Sequence, residues 1–276
     1  MRILVTNDDG IDAPGLRALV ERLRPEHDGE LMVVAPHTEQ SGMGAALGPF
    51  YLNPPRVHER RLDGVDLAQC WSIEGPPSLG VLLARLGAFG EPPDLVVSGV
   101  NPGLNVGRAV YHSGTVGATL TARNGHIHGI AISQEMDPSI GLHPQHWETA
   151  TEIAARAMRA MIDTPPPEAS VLNLNVPDRP LAELRGIRSV PVGDLPPRRA
   201  LAARLEPLGD GVHEVQLEAA DEASDAATLV PDHDTGAVAE GWVAMSWLGR
   251  ITHDDPGEHG VEDALEAFLG GGPPTR

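Results

Sequence analysis

Five short, largely apolar runs, separated by stretches of helical periodicity, restrict what this 276-residue chain can fold into more than any other feature. They are Ile3-Leu4-Val5, residues 31–35, Asp94-Leu95-Val96-Val97-Ser98, residues 129–133 and Val171-Leu172-Asn173-Leu174-Asn175-Val176. Runs such as residues 31–35 are continuous rather than alternating, so both faces of the strand must be covered, as in a parallel sheet. Between the runs, Leu16, Leu19, Val20 and Leu23 after Pro14, then Leu79, Leu82, Leu83 and Leu86, then Ala150, Ile153, Ala154, Ala157, Met158 and Met161 recur at the spacing of one helix face. Alternating strands and helices with right-handed crossovers predict an α/β fold: a doubly wound, mostly parallel sheet with helices on both faces. Residues 48–75 carry short strand-like pieces around Pro54, Pro55 and Gly64, expected as a hairpin beside the sheet. From about residue 185 the pattern changes to Pro/Arg-rich turns and an extended run at 212–217, then an acidic, Ala-rich segment at 218–225, a returning strand at 241–248 and a short closing helix at 261–269. The expected division is a catalytic core over 1–185 and an appended C-terminal β-hairpin or arm, returning strand and tail over 186–276.

Charge narrows the function. A formal net charge of -19 lacks the Lys/Arg fields that capture nucleic acid or anionic lipid, so neither is an expected partner. All 20 basic residues are Arg, which removes enzymes that need a Walker lysine or a Schiff-base amine. Any phosphate chemistry must therefore run on metal, backbone N–H groups and Arg. With one cysteine, Cys70, no intrachain disulfide is possible, and a cytoplasmic location is expected. No charged-then-apolar leader is visible, and no apolar run approaches the roughly 18 residues of a membrane span.

Sheets of this kind place ligands outside the carboxyl ends of their strands. Just past the first run stand Asn7-Asp8-Asp9-Gly10. Adjacent carboxylates in a partly dry crevice repel, so one binds a proton or both share a cation. The alternative is an Asx-turn and helix cap, with both carboxylates merely satisfying N–H groups. After the second run comes the Gly-rich loop Gln40-Ser41-Gly42-Met43-Gly44, and after the third the Gly/Asn stretch at 99–107, read as a site loop. Ser113-Gly114-Thr115 then opens a helix whose N-terminus, with its hydroxyls and glycine, is an anion cradle. Asp8, Asp9, Ser41, Asn101 and Asn105 are all oxygen donors, a hard set suited to Mg²⁺ or Mn²⁺ and poor for Zn²⁺.

These segments, together with Val33-Val34-Ala35-Pro36, Val97-Ser98-Gly99-Val100-Asn101-Pro102-Gly103-Leu104-Asn105-Val106-Gly107, His112-Ser113-Gly114-Thr115-Val116 and Leu172-Asn173-Leu174-Asn175-Val176-Pro177, resemble the survival protein SurE family. The resemblance is colinear over about residues 1–180 and thins to pieces such as Glu240-Gly241-Trp242-Val243. It implies a Rossmann-like core and a metal-dependent phosphomonoesterase, a 5′-nucleotidase, acting on nucleoside 5′-monophosphates with one divalent ion, Mn²⁺ or Mg²⁺, per subunit. Carried over by position, Asp8, Asp9, Ser41 and Asn101 hold the metal, with Asp8 and Asp9 catalytic. Asn105, Ser113, Gly114 and Thr115 hold the substrate phosphate. The family's C-terminal hairpin implies a homodimer or homotetramer.

The mechanism expected is attack of a metal-activated water on phosphorus, oriented by Asp8 or Asp9. Arg108 is the nearest additional cation, and also reads as a solvated loop residue. His112 is either a proton donor to the leaving group or a residue that fixes the loop. Several segments depart from the family: Gly75-Pro76-Pro77-Ser78-Leu79, Thr121-Ala122, Pro36-His37, Ala45 with Ala46, and Ala244-Met245-Ser246-Trp247. They alter the expected walls of the leaving-group site while leaving the oxygen donors intact. Two rivals remain at this level: a phosphatase acting on another small phosphomonoester, and a relative that binds nucleotide without hydrolysing it. An aspartyl-nucleophile phosphatase fits less well, since its second Asp falls two residues on and it uses a Lys.

Overall fold

The computed structural model describes residues 1–136, 143, 144, 146–194, 200–219 and 229–249. The closing helix expected at 261–269, and all but the start of the acidic segment at 218–225, lie outside the described residues.

The strands are β1 (Arg2–Thr6), β2 (Glu30–Pro36), β3 (Val57–Glu59), β4 (Gln69–Ile73), β5 (Leu95–Pro102), β6 (His128–Gln134), β7 (Val171–Val176), β8 (Ile187–Ser189), β9 (Ala200–Gly209), β10 (Val212–Ala219) and β11 (Val243–Leu248). Nine form one sheet in the order β3-β4-β2-β1-β5-β6-β7-β11-β8. From β4 to β7 every neighbour is parallel; β3 and β11 join antiparallel.

The apolar runs become central strands because each side chain finds cover. In β1, Ile3 and Val5 enter one core and Leu4 the other, the period of two that a strand imposes. Helices α1 (Pro14–Leu23) and α4 (Trp147–Asp163) cover the first face; α2 (Pro77–Arg85) and α3 (Gly114–Asn124) cover the second. Pro14 stands first in α1, where no N–H is needed, and Leu16, Leu19, Val20 and Leu23 are its buried stripe. Arg2 is the one charged residue of β1. Its guanidinium donates to the carbonyls of Phe89 and Glu91 and pairs with Glu30 at 2.9 Å.

Taken in chain order, the six parallel strands run third, second, first, fourth, fifth, sixth. The order reverses between β1 and β5, which is where such a sheet opens a crevice at its carboxyl edge. Asp8 and Asp9 leave β1 there, and Asn101 sits near the end of β5.

Three expectations change. Within residues 48–75, β3 and β4 do pair as a hairpin, but β4 also enters the sheet beside β2. The stretch at 99–107 is a loop only in its second half, since β5 continues to Pro102 after a register shift between Ser98 and Asn101. The extended C-terminal region is not all outside the core: β11 pairs with β7, buries Val243 and Ala244, and bonds Ser246 to the Val190 carbonyl at 2.8 Å. Preceded by a short helix α5 (Asp234–Ala239), it returns to the sheet, whereas β9 and β10 form a separate antiparallel ribbon. No helix among the described residues is long and apolar enough to cross a membrane.

Candidate metal and phosphate site

Neither carboxylate of the Asp8-Asp9 pair caps α1, the helix that follows. The turn after β1 is closed by Asn7, whose amide donates to the Gly10 carbonyl at 3.0 Å, and α1 begins from Ala13 with no side-chain cap. Asp8 instead faces the start of α3. The Thr115 hydroxyl donates to its Oδ1, and the N–H groups of Gly114 and Thr115 reach the same carboxylate. Burial outweighs these bonds and raises the Asp8 pKa above its ordinary value. Ser113 caps α3, its hydroxyl accepting the Val116 N–H at 3.1 Å.

Asp9 is placed differently. Its Oδ2 is buried with no hydrogen-bond partner. Burial first, then the neighbouring charges of Asp8 and Glu39, push its pKa up to about 7. A carboxylate oxygen withdrawn from water, lacking a donor and crowded by like charge, is satisfied by a cation. The residue opens onto a cleft of 480 Å³ shared with Ser41, His37, Glu39, Pro102 and His143. Ser41 lies exposed on the rim, its N–H donating to Glu39 Oε1 at 3.0 Å. Asn101 is half-buried beside Pro102. Its amide nitrogen is engaged by the Gly103 carbonyl at 2.7 Å, which leaves the amide oxygen for another partner. Among the described residues no three His, Cys, Asp or Glu side chains cluster as metal ligands. A set of two carboxylates, a hydroxyl and an amide has only two such members.

Asn105 is buried and bonded on three sides. Its amide donates to Ser133 Oγ at 2.8 Å, its N–H to Asn175 Oδ1 at 2.8 Å, and its carbonyl accepts from Asn173 and Asn175 at 2.9 and 3.1 Å. The structure therefore brings Asp9 to Ser41 and Asp8 to Gly114 and Thr115, while Asn105 is turned into the loop's own scaffold. Arg108 is exposed, without an ion pair among the described residues. His112 is exposed too, its carbonyl accepting the Gly44 N–H at 2.9 Å.

Two glycines of α3 permit this close assembly. A Cβ at Gly114 would sit 2.7 Å from Asp8 Cβ, and one at Gly117 would sit 2.2 Å from the Gly44 carbonyl. Of the segments that depart from the family, Ala45 and Thr121 do line a cavity of 520 Å³ with Leu47, Leu82, Arg85, Arg123, Asn124 and His126, one that shares no residue with the Asp9 cleft. Leu79 does not; it is 3% exposed and belongs to the second core.

Sequence reasoning singled out His37 only as an altered wall, and missed Glu39 and His143 in the Asp9 cleft. His37 directly follows β2, so its place at the carboxyl edge was available from the strand order alone. His143, exposed, is far from Asp9 in sequence, and only the folded path of the chain brings it here. Asn173 and Asn175 were visible as polar residues in a strand, yet every residue of β7 is buried and these two serve as clamps.

The sequence model of the family described as Survival protein SurE matches residues 3–196. Over 212 residues the chain is 42% identical to the 5′-nucleotidase SurE of Methanopyrus kandleri, across 76% of this chain and 78% of that protein. It is 33% identical over 276 residues to the 5′/3′-nucleotidase SurE of Erwinia tasmaniensis, covering 100% of this chain and 99% of the relative. The crystal structure of the SurE protein from Aquifex aeolicus superposes with a TM-score of 0.72 at 27% identity, over 98% of this chain and 100% of that one. A match over most of the sequence, joined to a common fold, means that the chain belongs to the survival protein SurE family.

Proposed function

We propose that this protein is a metal-dependent 5′-nucleotidase that hydrolyses nucleoside 5′-monophosphates to nucleoside and phosphate. The observation that carries the proposal is the buried, partnerless Oδ2 of Asp9 beside Asp8, at the point where the strand order reverses and α3 presents its N-terminus. The nucleotidase names of its relatives supply the substrate class.

Asp8, Asp9, Ser41 and Asn101 would hold one divalent ion per subunit, Mn²⁺ or Mg²⁺. Such an ion, when bound, neutralises a phosphoryl oxygen and acidifies a water. The chain's own groups do the rest. Ser113, Gly114 and Thr115 would take the phosphate at the α3 N-terminus, where the Gly114 and Thr115 donors that now meet Asp8 would be shared with it. Asp8 is tied to Thr115, so Asp9, with its uncommitted oxygen, is the carboxylate that orients the attacking water and takes its proton. His112, beside Ser113, would protonate the leaving alkoxide, and Arg108 would add positive charge. Asn105 shapes the loop, since its amide is held by Ser133. Ala45 and Thr121, less polar than the residues usual in the family, would offer few hydrogen bonds to sugar or base, which favours weak discrimination among bases; the cavity they line contains no residue proposed for the metal or the phosphate.

A net charge of -19 disfavours binding to nucleic acid or an anionic membrane. Cys70 is a free thiol whose pKa burial pushes up to about 11, so it stays protonated near neutral pH; a cytoplasmic location is proposed on the single cysteine alone. The ribbon β9–β10 exposes Leu205, Leu208, Val212, Val215 and Leu217, an apolar surface that a homodimer or homotetramer would cover. Light scattering at micromolar concentration should give a dimer or larger, and removal of the ribbon should lower that state; a monomer unaffected by the deletion contradicts it.

Phosphate release from the nucleoside 5′-monophosphates should require Mn²⁺ or Mg²⁺, vanish with EDTA and return on adding metal back. Release unchanged by EDTA, or none at all with metal present, refutes the proposal.

A further inference from the structure

Asp234 lies beyond the residues matched by the family, in the segment that precedes β11, and its side chain is wholly buried. One carboxylate oxygen, Oδ2, accepts the N–H of Gly107 at 2.9 Å. The other accepts the N–H groups of Gly193 at 2.9 Å and Thr235 at 2.8 Å, with the Thr235 hydroxyl at 3.4 Å. The contact with Gly107 spans 127 positions of sequence.

Gly107 is where the site loop turns. It has a φ of +54°, a conformation that favours glycine, and it opens the 3₁₀ turn Gly107–Tyr111. That turn ends on the Ala109 carbonyl, which accepts the N–H groups of both His112 and Ser113, and Ser113 caps α3 against Asp8. Leu104, three residues before Gly107, packs on the cluster of Val190, Ala237, Val238 and Ala244, so the same C-terminal element grips the loop a second time. On the opposite side the loop is held by Asn173, Asn175 and Ser133. The phosphate-facing segment thus has two anchors, and one comes from a region that supplies no proposed ligand or phosphate contact.

We infer that Asp234 is a positioning residue for phosphate recognition: through Gly107 it fixes residues 105–113, and with them the mouth of the α3 N-terminus. The inference rests on the phosphate-site reading above. A carboxylate is needed because two oxygens accept three backbone N–H groups. An asparagine offers one oxygen, and its amide would meet an N–H head on.

Asp234→Asn tests this beside Ser246→Ala, which removes the bond from β11 to Val190 in the same C-terminal segment and leaves the Asp234–Gly107 bond in place. In Asp234→Asn, the KM for a nucleoside 5′-monophosphate and the inhibition constant of inorganic phosphate should both rise about tenfold with kcat changed much less. Amide exchange over residues 105–113 should quicken by about tenfold while β1 stays protected. Ser246→Ala should lower Tm without either change. If Asp234→Asn does not fold, Asp234→Ser, which keeps one acceptor, takes its place. Unaltered phosphate inhibition and exchange at position 234, or the same rise in Ser246→Ala, overturns the inference. Should the unmodified protein release no phosphate from any monoester, the functional reading falls, and the exchange comparison still decides the anchor.

Discussion

Asp9→Asn should abolish metal-stimulated phosphate release, by at least about a thousandfold in kcat/KM, while leaving the metal-free protein as stable as before or more so. The two effects have one cause. In the metal-free chain the half-buried Asp9 has its Oδ2 buried without a partner and near the charges of Asp8 and Glu39, so its charge opposes folding. Asparagine keeps the shape and removes the charge. It also removes the anionic oxygen that a divalent ion and an attacking water both require. Gain of Tm with loss of activity is the signature of a site whose strain serves function. The check is a pair of measurements on one preparation: thermal unfolding in EDTA, and phosphate release in saturating Mn²⁺. A variant with normal Mn²⁺-dependent turnover, or one that fails to fold, contradicts the assignment.

Gly114→Ala is expected to act almost as strongly, for a steric reason. Alanine is the better helix former by about 1 kcal/mol, which alone predicts a gain. Against it, the added Cβ would lie 2.7 Å from Asp8 Cβ and 2.8 Å from its Oδ2, distances that real side chains do not adopt. Asp8 Cβ is not the loose end of a side chain; it is fixed just past the end of β1, so α3 or the Asp8 turn must shift. Overpacking of this kind costs about 1–3 kcal/mol, more than the propensity returns. The net effect should be lower stability together with a fall of about a hundredfold or more in kcat/KM, because a displacement of even about 1 Å at a catalytic group has that consequence. Unfolding in denaturant and steady-state kinetics measure the two halves. A variant that is more stable and fully active would show that the contact between Asp8 and α3 is not needed.

How much was legible beforehand follows from where each signal is local. The central strands could be read because strands covered on both faces must be apolar, and α1 because its stripe and Pro14 lie within one short window. Asp8, Asp9, Ser113 and Gly114 could be singled out because the end of a strand or the start of a helix is itself a local event. Long-range partnerships left no such trace. The entry of β4 into the sheet depends on pairing with β2, more than thirty residues away in sequence. Asn173 and Asn175 read only as the polar positions of an alternating strand, and the loop at Asn105 turns them into buried clamps. Leu79 was expected as a wall of the site because it sits in an altered segment, but the phase of α2 points it into the core. Asp234 carried no signal at all, since its acceptors are satisfied by N–H groups at Gly107 and Gly193.

The central claim, a metal-dependent phosphomonoesterase selective for nucleoside monophosphates, is tested most directly by kcat/KM at fixed Mn²⁺ across the four ribonucleoside 5′-monophosphates, their deoxy forms, sugar phosphates and an aryl phosphate. The account predicts that at least one nucleotide exceeds every sugar phosphate, with little spread among the bases. A sugar phosphate that beats every nucleotide by more than about tenfold, roughly 1.4 kcal/mol in transition-state binding, would contradict it.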